Sequence, residues 1–108
     1  MGDRANVYVH EGDKPGVYLY THWAGTELPK LVWEVLKTDR AQNRADDGPY
    51  LARIIFETMI SEDMGSETGY GIWVSPPDGH DRIVDVNCTR NGAIVNFYGY
   101  EDEEVDIY

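Results

Sequence analysis

From Arg4 to His10 the chain alternates, with Val7 and Val9 on one side and Tyr8 and His10 on the other, and this period of two predicts a strand. Gly12, Asp13, Lys14, Pro15 and Gly16 form a turn cluster, so Val17 to His22 is expected to return antiparallel as a hairpin. The period then lengthens. Leu28, Leu31, Val32, Val35 and Leu36 recur at helical spacing and mark one apolar face. Thr26 is the expected cap of that helix, with Glu27 and Pro29 in its first turn. Trp33 lies off the stripe, either as a second contact or as an exposed aromatic. Thr38 to Gly48 is polar and aperiodic and reads as a loop. Asp47, Gly48 and Pro49 open a second helix, in which Leu51, Ile54, Ile55, Thr58 and Met59 repeat the spacing, with Gly65 as its expected stop.

From Gly69 onward the period returns to two. Tyr70 to Ser75, Arg82 to Cys88 and Ala93 to Tyr98 read as strands, the first two separated by Pro76-Pro77-Asp78-Gly79 and the last two by Arg90-Asn91-Gly92. Asn91-Gly92 between apolar runs is a strong hairpin signal. In the middle strand Val84, Val86 and Cys88 alternate with Ile83, Asp85 and Asn87, the pattern of a sheet with one wet face. The order is ββααβββ: an α+β fold, a mostly antiparallel sheet with two helices packed on one face. Residues 1–100 form the single expected domain. Glu101 to Tyr108 carries five acidic side chains and reads as an acidic tail or a short edge strand.

Composition narrows the function classes. The formal net charge of −11 over 108 residues disfavours nucleic acid and anionic membranes as direct partners, because both add like-charge repulsion. Basic protein surfaces are the natural complement, although acidity also serves plain solubility. The single cysteine, Cys88, excludes an internal disulfide. With no leader-like or membrane-length apolar run, a reducing cytoplasm is the expected setting. Asn87-Cys88-Thr89 then fits the glycosylation pattern by chance.

Candidate chemistry is sparse. His10, His22 and His80 are the only histidines, and His10 and His22 are placed to approach each other across the first hairpin. With Glu11 or Asp13 they offer metal-type donors, but no close His pair supports a metal, and neither metal nor cofactor is expected. Cys88 sits mid-strand like a core residue, and no serine occupies a nucleophile elbow. Gly69-Tyr70-Gly71 precedes a strand and not a helix, so it makes no phosphate loop. An enzyme built on His22 with Asp13 or Asp85 rests on residue types alone, and a non-enzymatic role is favoured. Binding has the better support. Tyr20, His22, Trp23, Tyr50 and Arg53 fall where a strand meets two helix starts, and are expected to converge on a cleft for a nucleotide-like or other small anionic ligand. The competing reading of the aromatics is a filled small core.

Two blocks carry a resemblance. Tyr18-Leu19-Tyr20-Thr21-His22-Trp23 with Gly25 and Leu28-Pro29, and Pro49-Tyr50-Leu51-Ala52-Arg53-Ile54-Ile55-Phe56 followed by Glu67 to Ile72, are similar to an uncharacterised family of small phage, prophage and other prokaryotic proteins. They span roughly half the chain. The resemblance lends no catalytic or binding residues; it implies a viral or mobile-element setting, where small proteins that bind host machinery are common. The expected function is therefore a small acidic binding protein that engages a basic host protein, its carboxylates imitating a nucleic-acid backbone. The small anionic ligand is the alternative. A free edge strand and Trp33 leave a homodimer open.

Overall fold

A computed structural model describes residues 2–75 and 82–101; the Pro76-to-Gly79 separation, His80 and the segment 102–108 lie outside the described residues. The sheet contains β1 (Ala5–His10), β2 (Val17–Thr21), β3 (Tyr70–Trp73), β4 (Arg82–Thr89) and β5 (Gly92–Tyr98) in the order β3-β2-β1-β4-β5. Three ladders are antiparallel. The exception is central, where β1 runs parallel to β4 with Val7 beside Val84 and Val9 beside Val86. Helices α1 (Leu28–Leu36) and α3 (Gly48–Ile60) cover one face, joined by the single turn α2 (Asp39–Gln42). The expected α+β fold is the observed one.

The core follows from the alternation. Val7, Val9, Leu19, Val84, Val86 and Cys88 point to the helices and meet Leu28, Val32 and Val35 of α1 and Leu51, Ile54, Ile55 and Met59 of α3, all buried. Each large aliphatic side chain so buried contributes about 1.5–3 kcal/mol. At Gly16 the backbone passes so close to β1 that an added Cβ would lie 2.0 Å from the Val9 carbonyl oxygen. Only glycine closes this hairpin end.

Four local expectations need correction. Thr26 does not cap α1: it sits in a 3-10 turn (Gly25–Glu27), and its N–H and hydroxyl both donate to the Asp3 carboxylate, each at 3.0 Å. Thr38 to Gly48 is not all loop, because the Thr38 hydroxyl accepts from Ala41 N–H and caps α2, one turn being too short to show a period. The second long helix stops at Ile60, ahead of Gly65, since Ser61, Glu62 and Asp63 offer nothing for its apolar face to bury. Finally, β3 ends at Trp73 and not Ser75, because its ladder with β2 ends at the Tyr18–Trp73 pair.

Asp3 closes a polar clasp. The Arg82 guanidinium, at the start of β4, bonds Asp3, the Thr26 hydroxyl and the Arg4 carbonyl, and lies 5.1 Å over the Tyr100 ring. The Tyr100 hydroxyl donates to the Gly25 carbonyl at 2.7 Å. One cluster thus ties the N-terminal segment, the entry to α1 and both ends of the β4–β5 hairpin. Burial raises the Asp3 pKa, but bonds from the Thr26 N–H, Arg82 and the Thr26 hydroxyl outweigh it and leave the carboxyl below its ordinary 3.8. The unfolded chain therefore takes up this proton first as pH falls. The stabilisation is complete above that ordinary value and is lost as pH drops through the lower, folded one. Asp3→Ala is expected to cost roughly 1 kcal/mol at neutral pH and to weaken the loss of stability on acidification, read by urea denaturation across pH.

Candidate functional site

Two surfaces carry the chemistry, one on each side of the sheet. On the side away from the helices, alternation places Asn6, Tyr8 and His10 of β1 next to Tyr18 and Tyr20 of β2 and Trp73 of β3. Tyr8 stacks on His10 and on Tyr18 at centroid distances of 4.7 and 4.3 Å, and Tyr18 and Tyr20 each meet the Trp73 ring edge-on at 6.4 Å. Trp73 Nε1 donates to Asn6 Oδ1 at 2.8 Å, while Asn6 Nδ2, fully buried, has no partner among the described residues. Burial, with Tyr8 and Asp85 adding, raises the Tyr18 pKa and keeps its hydroxyl neutral. The result is a continuous aromatic ridge.

At the ridge's end, His10 Nδ1 lies 2.8 Å from the Gly12 carbonyl and Nε2 lies 2.9 Å from Asp85 Oδ1. Both ring nitrogens are thus engaged, one by the Gly12 carbonyl and one by the Asp85 carboxylate. Asp85, one of the two carboxylates offered to His22, is bonded to His10 instead, and the other, Asp13, lies in the turn between β1 and β2. Nor do the two histidines approach each other: the register pairs Ala5 with Thr21 and Val9 with Val17, so they sit at opposite ends of the hairpin. Among the described residues no cluster of metal-type donors occurs.

The five residues expected to form one cleft are divided by the sheet. Tyr20, His22 and Trp23 stay together, with the Tyr20 hydroxyl 2.8 Å from His22 Nδ1 and the His22 and Trp23 rings edge-on at 4.4 Å. They belong to the aromatic side. Tyr50 and Arg53 project from α3 on the helix side, Tyr50 beneath the Arg44 guanidinium at 4.9 Å and Arg53 paired with Glu57 at 3.3 Å. The cause is the strand period: Leu19 and Thr21 point to the helices, which sends Tyr20 and His22 the other way.

Arg53 instead lines a groove of about 780 Å³ between α3 and the β2–β3 edge. Val17 and Leu19 form its floor, Ile72 and Val74 its outer wall, and Ala52, Phe56 and Ile60 its α3 wall. Ile72 and Val74 are 58% and 75% exposed, so this is apolar surface the fold leaves in water. Lys14, Arg53, Glu11 and Glu57 stand at the rim. Two of these are committed elsewhere: Glu11 accepts from Gly48 N–H at 2.7 Å, and Glu57 also binds Arg40 at 3.0 Å.

The charge along the chain is lopsided. Residues 1–53 hold eight acidic and seven basic side chains, whereas residues 54–81 hold six acidic ones and no lysine or arginine. Exposed Glu62, Asp63 and Glu67 follow directly on Ile60. Sequence reasoning missed the groove, because only the placement of α3 relative to β3 creates it. The ridge was half visible in the Tyr8–His10 alternation, but Asn6 and Asp85 acquire their partners from strands far apart in sequence.

Cys88 is no nucleophile. Burial, reinforced by the negative charges of Glu11, Asp47 and Asp46, pushes its thiol up to about 11. No family model, no curated protein and no solved structure matches this chain. Among the described residues, no helix is long and apolar enough to cross a membrane.

Two outcomes are expected here. Native Cys88 should resist alkylation by iodoacetamide and react only once denaturant unfolds the chain. Trp73→Phe should cost roughly 1–3 kcal/mol by stranding the Asn6 carbonyl oxygen, whereas Trp23→Phe, at an exposed ring, should shift stability by less than about 0.5 kcal/mol in the same urea titration.

Proposed function

We propose that this chain is a non-catalytic binding protein that receives a basic amphipathic helix of a protein partner in the groove between α3 and β3. One observation carries the reading: an apolar trough with exposed Ile72 and Val74 is walled on both sides by a stretch of chain, residues 54–75, devoid of lysine and arginine. The trough selects a partner with an apolar face, and Glu62, Asp63 and Glu67 favour lysines or arginines on its other face. A helix laid beside α3 would extend the helical layer over β2 and β3. The net charge of −11 speaks against nucleic acid or an anionic membrane as the direct partner. The lone thiol suits a reducing cytoplasm. The sequence resemblance adds a mobile-element setting, in which the basic partner belongs to the host. The small-ligand alternative loses its support with the division of Tyr20, His22 and Trp23 from Tyr50 and Arg53.

The test is calorimetric titration with a synthetic helical peptide bearing leucines on one face and lysines on the other. Binding is expected, weakening steeply as salt rises, since exposed charges are screened over about 8 Å at physiological ionic strength. Ile72→Asp and Val74→Asp, at exposed sites, should each weaken it about tenfold or more without unfolding the protein. Equal binding of a peptide with glutamates in place of the lysines, or unchanged affinity in Val74→Asp, would overturn the proposal.

A further inference from the structure

The opposite edge of the sheet is built differently. β5 reads Gly-Ala-Ile-Val-Asn-Phe-Tyr, seven residues without a charge or a proline, and among the described residues it pairs only with β4. Sheet edges in water are ordinarily blunted by charge, proline, bulges or shortness, because their outward N–H and C=O groups template another strand. None of these devices is present on β5: its ladder with β4 runs unbroken from Ile83–Tyr98 to Thr89–Gly92. That ladder closes on Thr89 and Gly92 across a two-residue turn. Hydrogen-bonded and non-hydrogen-bonded pairs alternate from there, so the main-chain groups of Gly92, Ile94, Asn96 and Tyr98 face β4. Those of Ala93, Val95 and Phe97 face outward.

We infer that β5 pairs antiparallel with β5 of a second copy about a twofold axis through Val95, joining two five-stranded sheets into one. The strand is self-complementary in this register. Val95 meets its own counterpart and Ala93 meets Phe97 of the other copy, which uses every outward main-chain group from Ala93 to Phe97 and sets a small side chain against a large one. Ile94, 53% exposed, then lies across from Asn96. The ends match in charge: exposed Arg90, in the β4–β5 turn of one copy, arrives beside Glu101 of the other.

The helical side supplies the cover. Trp33, off the core stripe of α1, lines with Leu36, Ala41, Ala93 and Val95 a hollow of about 340 Å³ beside this edge. A perpendicular twofold keeps both helical layers on the same side of the joined sheet, so the two α1 helices flank the seam and each Trp33 shields it. Trp33 takes this on in addition to its contact with the Lys37 ammonium, which lies 5.3 Å from the ring centroid.

Sedimentation equilibrium at high micromolar concentration, in moderate and in molar salt, should return twice the chain mass of 12.3 kDa. Val95→Pro removes an outward N–H that takes no part in the β4 ladder, trims a half-buried side chain, and should shift dissociation to about tenfold higher concentration or more, with the monomer still folded by circular dichroism. An independent readout fixes the register without relying on that variant. Ile94→Cys and Asn96→Cys chains, mixed and gently oxidised, should cross-link to each other faster than either does to itself, because non-hydrogen-bonded pairs bring these positions within disulfide reach. A monomeric mass in both salts, a Val95→Pro protein as dimeric as the parent, or no excess of the mixed cross-link would each overturn the inference.

Discussion

Two helices cannot cover five strands. A helix with its side chains is about 10 Å across and strands lie about 4.8 Å apart, so each helix shelters roughly two strands. Here α3 packs over β1 and β2 and α1 lies toward β4, leaving Ile72 and Val74 exposed on the helix side at and beyond β3, and β5 at the rim. The apolar groove and the hollow beside Trp33 are consequences of that mismatch. Nothing in the local sequence need be unusual for either to exist. What is specific to this chain is that the uncovered helix-side positions Ile72 and Val74 remain apolar.

The other side of the sheet solves a different problem. With no described element above it, the face needs side chains that tolerate water and still exclude it from the main chain. Aromatic rings with polar tips do both. The Tyr8–Tyr18 stack and the Trp73 edge cover the middle strands, and Trp73 draws the buried Asn6 carboxamide into a bond on that face. His10 is fixed by Gly12 and Asp85, which couples the first hairpin turn to β4 across the parallel ladder. That coupling is structural in character. A ring held at both nitrogens is an anchor.

The period of apolar residues made most of the fold legible. It marked all five strands and both long helices, and Asn91-Gly92 marked the last hairpin, because each signal is local and repeats over several residues. Single-turn features escaped it: α2 rests on one Thr38 cap, and Thr26 was diverted by an Asp3 more than twenty residues away. The candidate cleft failed for a more general reason. His22 follows the end of β2 and Arg53 lies within α3; the direction of each side chain depends on strand parity and helix rotation, and a shift of one position transfers a side chain to the other face. Strand order was equally hidden, since the parallel pairing of β1 with β4 joins residues more than seventy positions apart.

Charge and apolar edge fit together once their positions are compared. A long uncharged edge strand on a near-neutral protein would invite indiscriminate stacking. This chain places its excess of carboxylates elsewhere, in the stretch after Arg53 and beyond Tyr100, so each copy repels every other at long range while β5 itself stays neutral. Repulsion of that kind penalises every encounter and leaves only geometries that recover enough contact to offset it. The antiparallel register through Val95 is one such geometry, because it satisfies outward main-chain groups and sets Arg90 against an acidic end. A closed twofold also consumes both β5 edges at once. The exposed β3 edge, only four residues long and preceded by an acidic loop, offers a third copy far less to pair with.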